Sequence, residues 1–223
     1  MTRVKKLGQA VLAIAASLFV WHPRVAKADS PLTSTPFADA YQDVEVVKEA
    51  SGQGLTDDVL AALSDPEVPD DVRAAIVNAL GWSVEGQNHA SEYLEYLSGR
   101  NESTLTIDEL TPEEAFSFGY LLAMDDYFRL SAIGGSRPLE KLDAISVLRA
   151  AVLKNPNNFS VALIHSLAQA QLLMRDFERW CDVYQLVAAV NDNFVGERNM
   201  REEAVEIVMD YISLYQDYCD VGG

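Results

Sequence analysis

The sequence predicts an all-α protein built of antiparallel helical hairpins, and three observations carry that expectation. Apolar residues recur every three or four positions, as in Val72, Ile76 and Leu80, or Leu139, Leu142, Ile145 and Leu148. The period-two alternation between turn dipeptides that marks strands is missing. Helix punctuation recurs instead: Thr56, Thr111 and Asp176 stand where N-caps belong, and Gly81, Gly99 and Pro156 stand where helices stop.

Residues 1–28 read as a signal peptide. MTRVKK is basic, LGQAVLAIAASLFVW is an uncharged apolar run of 15 residues, and Ala26-Lys27-Ala28 offers a small-x-small cleavage site before Asp29. A spanning helix needs about 20 residues, so this run is too short for an anchor, and no later stretch is long and apolar enough to cross a bilayer. The expectation is an exported protein, in a bacterial periplasm or secreted, with no membrane span after cleavage. Removing these residues takes away five of the 17 basic side chains and none of the 34 acidic ones, leaving a net charge of −22. Such a field repels nucleic acid and anionic lipid, and it favours basic partners.

The elements follow in order. Residues 29–38 (DSPLTSTPFA) are rich in Pro, Ser and Thr and are expected to form a mobile leader. An N-terminal helical segment then covers 39–100. Its first helix runs over 39–51 and stops at Gly52-Gln53-Gly54. Thr56 caps the next, with Asp57 and Asp58 in the first turn where the helix dipole favours them. Pro66 and Pro69 break it, Asp70 opens a third that Gly81 ends, and a fourth carries Tyr93, Leu94 and Leu97. After a polar loop over 101–111, Thr111-Pro112-Glu113-Glu114 forms a capping box with proline at the first helical position. That helix is expected to continue through AFSFGYLLAMDDYFRLS. A Gly134-Gly135 loop follows, then a helix from Pro138 to Asn155, closed because the residue before Pro156 is pushed out of helical geometry. Helices over 159–174, 176–190 and 198–219 complete a second segment, 111–223, expected to pack on the first.

Two stretches resemble known repeat families. LTDDVLAALSDPEVPDDVRAAIVNALGW, about 28 residues, resembles a HEAT-type repeat through its acidic-proline turn and the Val72-Arg73 start of its second helix. In the second segment, Ala144, Leu148, Ala151 and Pro156 repeat the small, large, small, proline spacing of the second helix of a tetratricopeptide (TPR) unit. Ala115, Phe118 and Gly119 fit the first helix of that unit. Leu167-Ala168 with Tyr184 and Val187 fit a further unit, and Ala204, Ile207, Val208 and Tyr211 the start of another. The pattern is degenerate. Trp180 stands where TPR units carry Ala, and unit starts at Pro112, Val161 and Arg201 lie 49 and 40 residues apart against a usual spacing of about 34. The resemblance implies a short helical solenoid whose first helices line a peptide-binding groove. It places Glu113, Phe116 and Tyr120 in that groove from one unit, and His165, Gln169 and Leu172 from the next.

Catalytic, cofactor and metal signatures are missing. His89 and His165 belong to no HExxH or HxxxH pattern, and no glycine-rich phosphate loop, EF-hand or Gly-x-Ser-x-Gly elbow occurs. Most carboxylate pairs sit at helix starts, where capping explains them. Asp125-Asp126 lies between apolar runs and is the pair to inspect for burial. Cys181 and Cys219, 38 residues apart, are expected to form a disulfide that pins the last helix onto its neighbour. The expected function is non-catalytic binding of a protein or peptide, as a scaffold or adaptor, with no cofactor. The alternative is an exported helical hydrolase or cell-wall enzyme using scattered carboxylates.

Overall fold

The computed structural model describes residues 30–100 and 105–220, and among these every regular element is helical. The expected signal peptide lies outside the described residues. The α-helices are α1 (Glu45–Gln53), α2 (Asp57–Ser64), α3 (Asp70–Leu80), α4 (His89–Arg100), α5 (Pro112–Asp125), α6 (Ala144–Lys154), α7 (Phe159–Leu173), α8 (Trp180–Asn193) and α9 (Glu202–Ile212). Short 3₁₀ segments at Phe37–Tyr41, Leu139–Lys141, Phe177–Arg179 and Ser213–Cys219 lead into or extend them.

Local side-chain chemistry sets many helix starts. The side chains of Thr56, Asp143 and Asn158 accept from the backbone N–H groups of Val59, Ser146 and Val161, satisfying donors that a helix N-terminus leaves unpaired. At Thr111 the capping box closes in both directions, Glu114 N–H to Thr111 Oγ1 and Thr111 N–H to Glu114 Oε2. Gly81, with φ 74°, ends α3.

Four expected helices are shorter than their apolar patterns suggest. The helix expected through Ser131 stops at Asp125. Leu130, the only described non-glycine residue at positive φ (57°), turns the chain back. Its N–H donates to Asp126 O at 2.7 Å and its carbonyl accepts from Ala144 N at 3.2 Å, so these bonds hold a conformation that L residues disfavour. The helix expected from Pro138 is a 3₁₀ turn followed by α6, which starts afresh at the Asp143 cap. The helices expected over 39–51 and 198–219 likewise divide into a 3₁₀ segment and a shorter α-helix.

Three helices, α3, α5 and α7, meet one another at the centre of the molecule. Their sequences are apolar or small nearly all round, as fully surrounded helices must be: every residue from Glu114 to Met124 is buried, and so is every residue from Arg73 to Val77. The one-faced spacing of Val72, Ile76 and Leu80 understates α3, which packs against α1, α5, α7 and the Phe37–Tyr41 turn. Around this centre α4 lies on α5, α6 lies against α5 and α7, and α8 lies on α7. The α9 helix and the Ser213–Cys219 segment close against α8.

Close approach of α5 and α6 requires Gly119. A Cβ there would lie 2.9 Å from Leu148 Cγ and 3.0 Å from the Leu148 backbone nitrogen. Gly119→Ala is therefore expected to lose about 1–3 kcal/mol by overpacking, read from the urea midpoint at unchanged slope. A midpoint equal to or above wild type would show that the two helices can part without cost.

The expectation of a mobile leader over 29–38 is corrected for residues 30–38, Asp29 lying outside the described residues. Leu32 and Phe37 are fully buried, and Ser30, Thr35 and Ala38 are nearly so. Ser30 Oγ donates to Gln171 Oε1 on α7, and Ala38 N–H donates to Asn78 Oδ1 on α3 at 2.9 Å. Apolar residues placed without helical period pack here because the partners are distant in sequence.

Polar groups buried between segments are matched. Arg73 is fully buried. Its Nε donates to Leu63 O at 3.1 Å, its Nη2 to Asp65 O at 2.7 Å and its Nη1 to Asp70 Oδ1. The guanidinium thus shares the carbonyls at the end of α2 with the Ser117 and Tyr93 hydroxyls, which donate to Leu63 O, and the Val68 N–H, which donates to Asp65 O. Asp70 Oδ2 in turn accepts from Asn155 Nδ2 at 3.2 Å and from Asn158 Nδ2. The Asn155-Pro156-Asn157-Asn158 turn between α6 and α7 is therefore tied to the first turn of α3.

Cys181 and Cys219 are bonded as a disulfide, Cα to Cα 4.7 Å, joining α8 to the Ser213–Cys219 segment. Trp180 lies beside it. Its ring meets Phe177, Tyr215 and Tyr218 at centroid distances of 4.8, 5.5 and 4.7 Å, and its Nε1 donates to Met174 O at 2.8 Å. The bulky ring at this position thus packs on the C-terminal segment.

Candidate functional site

The residues expected to line a groove do not come together on an open surface. Phe116 and Tyr120 stack on each other at 6.4 Å but are 1% exposed. The Tyr120 hydroxyl accepts from Asn78 Nδ2 of α3 at 3.4 Å. The α3 helix packs on both α5 and α7, and Ser30 bonds to α7, so these two aromatics are core, out of reach of a ligand. Glu113 is half-buried at the start of α5, close enough to Asp70 to raise its carboxyl. Gln169 and Leu172 are half-buried on α7. His165 is half-buried near Arg149, and burial followed by that guanidinium lowers its imidazole below the ordinary range, favouring the neutral ring.

An open concavity lies elsewhere. A cleft of about 680 Å³ opens between the turn joining α3 to α4 and the chain leaving α5. Gly86 makes the turn possible: its φ is 84°, and it brings the chain so near α5 that an added Cβ would sit 3.4 Å from Asp125 O. Gln87 N–H donates to that carbonyl at 3.3 Å. Trp82 meets Tyr127 edge-on at 5.0 Å, bracing the two walls. On the far wall the positive-φ Leu130 holds Arg129 and Ser131 toward the opening. Val84 and Phe128 form an apolar rim, 80% and 55% exposed, with the Arg175 guanidinium 5.3 Å over the Phe128 ring.

Asp125 is the buried carboxylate of the cleft, its side chain 11% exposed. Oδ2 accepts from the Ala90 N–H at 2.7 Å and so caps α4 from a neighbouring helix. Oδ1 has no hydrogen-bond partner, and His89 Nδ1 stands 3.9 Å away, beyond hydrogen-bond length. Gln87 Oε1 is also buried without a partner. Of the three such side-chain atoms among the described residues, two belong to residues that line this cleft; the third is His165 Nε2. Burial pushes the Asp125 carboxyl above the ordinary carboxylate range, against the pull of the Ala90 N–H and His89. Three carboxylates, Glu85, Asp125 and Asp126, face one guanidinium, Arg129.

The shifts fix a pH dependence. Asp70 and Asp125 are raised, mainly by burial. The stability linked to their protonation is present below the ordinary carboxylate range and is lost as pH rises through their raised values. Asp43, held down by Arg201, and Glu140, held down by Arg137, act oppositely. Their contribution is present above the ordinary range and is lost as pH falls through their lowered values. Repulsion within a strongly acidic chain also grows toward neutrality. The melting temperature, scanned from about pH 4 to pH 8, is therefore expected to peak on the acid side of neutral. A steady rise to the alkaline end would contradict these shifts.

Sequence reasoning singled out Asp125 but missed Gln87, Val84 and Phe128. Running α5 on to Ser131 hid the turn that opens the cleft. The one legible signal was a carboxylate pair inside an apolar helix. Among the described residues no group of three His, Cys, Asp or Glu side chains is placed to hold a metal ion, and no helix is long and apolar enough to cross a membrane. Compared with known proteins, the chain matches no family model, no curated protein and no solved structure.

Proposed function

We propose that this is an exported, non-catalytic, TPR-like helical protein that acts as a scaffold or adaptor by binding a peptide segment of a partner, and that the segment enters the cleft between Ser83 and Ile133. The observation that carries the reading is the cleft itself: an open acidic concavity with an apolar rim and two buried acceptors without donors. The covered inner faces of α5 and α7 move the binding site from the hairpin interior to this end of the bundle. Export is supported by the first 28 residues and by a disulfide that suits an oxidising compartment. The hydrolase reading needs a second carboxylate facing Asp125 in the cleft from another helix; Glu92 of α4 acts on the Asp125 carboxyl but does not line the cleft, Asp126 shares its helix end, and Glu85 lies on an exposed turn.

The test is a random peptide library panned on the purified protein. Binders are expected whose footprint, read by hydrogen exchange, covers residues 83–91 and 122–133. Phe128→Asp should weaken them about tenfold or more by removing a rim anchor. Recovery of no binder, or footprints confined to other faces, would overturn the proposal.

A further inference from the structure

We infer that His89 and Asp125 form a proton-operated latch: one proton held between His89 Nδ1 and Asp125 Oδ1 ties the first turn of α4 to the end of α5. The latch belongs to the fold and is independent of what the neighbouring cleft binds.

The two groups come from different helices and meet at one point. His89 is the first residue of α4 and Asp125 the last of α5. Their side chains are 18% and 11% exposed, and Nδ1 stands 3.9 Å from Oδ1. One arm of the carboxylate is engaged already, Oδ2 accepting from the Ala90 N–H at 2.7 Å, which fixes the group in place. The other arm, Oδ1, is buried and meets no donor, a cost that lasts until a donor arrives.

A single proton resolves the contact. Without it, an imidazole whose hydrogen sits on Nε2 sets a lone pair against the carboxylate oxygen. With it, the pair is imidazolium with carboxylate or imidazole with carboxylic acid. Either form places one hydrogen between Nδ1 and Oδ1, and a charge-assisted bond of this kind closes to about 2.7–2.9 Å.

The surroundings set the direction. The partial positive charge at the start of α4 disfavours an imidazolium. Against it stands the buried carboxylate itself, whose affinity for a proton is raised by burial and by Glu92 of α4. Arg137, which packs across α4, is occupied by Glu95 and Glu140. Glu85, Asp126 and Arg129 line the cleft alongside Asp125. The stability linked to the held proton is present on the acid side of the imidazole range, about 6.5, and is lost as pH rises through it. A second proton, on the carboxyl, ends the ion pair at the acid edge. Gln87, Asn88 and Ser91 flank His89 and line the cleft, so the latch sets how firmly that wall is held.

The test follows the purified, ¹⁵N-labelled protein by NMR from about pH 5 to pH 8. The His89 ring nitrogens and the Ala90 amide are expected to titrate with one shared midpoint, because that amide donates to the same carboxylate. The His165 ring is the control, and its titration should leave the Ala90 amide unmoved. Hydrogen exchange at Ala90 gives the mechanical readout. At about pH 5.5, protection is expected to be about three- to tenfold higher in wild type than in His89→Gln. At about pH 8 the two should match. Asp125→Asn, which keeps an oxygen for the Ala90 N–H, should lose the same acid-side protection, and adding His89→Gln to it should cost nothing more. If a variant fails to fold, the wild-type titration alone decides. An Ala90 shift that ignores the His89 titration would overturn the inference, and so would equal protection of wild type and His89→Gln at both pH values. A wild-type advantage of the same size at both pH values would also overturn it, identifying a neutral imidazole that donates from Nδ1 as a static hydrogen bond.

Discussion

Arg73→Met is expected to destabilise the protein by about 3–5 kcal/mol, the cost of leaving a buried ion unpaired. Few domains hold more than about 5–15 kcal/mol in reserve, so the variant should sit near its unfolding threshold. The fully buried guanidinium donates to the carbonyls of Leu63 and Asp65 and neutralises Asp70. Methionine fills much of the volume and supplies none of the donors. Asp70 would retain only the amides of Asn155 and Asn158, so the turn between α6 and α7 should loosen with α3. The check is urea denaturation of Arg73→Met, Asp70→Asn and the double variant. Because Asp70→Asn removes the stranded charge, the double variant should lose less than the sum of the singles. A loss under about 1 kcal/mol for Arg73→Met would mean that the network adds nothing beyond a surface ion pair.

The second large effect is expected on removing the disulfide. The bond joins residues 38 apart in sequence. Closing a loop of that length removes unfolded-state entropy equivalent to about 4 kcal/mol on the chain model, with about 2–4 kcal/mol the usual measured range. Cys181→Ser with Cys219→Ser should therefore lower unfolding free energy by about 2–4 kcal/mol. The damage should be uneven. Trp180, Tyr215 and Tyr218 still pack together without the bond, so Ser213–Cys219 should lose hydrogen-exchange protection first, while α3, α5 and α7 keep theirs. Unchanged stability would show that the aromatic cluster alone fixes the C-terminal segment.

What the sequence made legible was local. The Thr111–Glu114 capping box, the Thr56 cap, the Gly81 stop and the break at Asn155-Pro156 are each decided within a few residues, and each stands where its chemistry puts it. The Cys181–Cys219 pair was legible from compartment and count. The unread part depended on distant partners. Leu32 and Phe37 have no helical period to mark them as core, and they become core because the stretch that carries them packs on α3, α7 and α9 across the molecule. Phe116 and Tyr120 have the spacing of an open groove face and the burial of a core face. Spacing alone cannot distinguish the two when another segment of the same chain supplies the cover. The cleft was hidden for a related reason: the apolar run after Asp125 continues as if helical, and the positive φ of Leu130 that breaks it is held by bonds to Asp126 and Ala144.

The chain fills its own inner face with α3 and with the Ser30–Tyr41 stretch packed on α3, and on the proposed reading this leaves the cleft beside Asp125 to bind the partner. Hydrogen exchange of the native protein at the Ala38 amide, bonded to Asn78 of α3, tests it most directly. Exchange as slow as that of the central amides of α5, governed by global unfolding, is the predicted result. Exchange as fast as that of the exposed Val84–Gly86 turn would mean that the inner face opens readily, and it would return Phe116 and Tyr120 to the surface as the groove their spacing suggests.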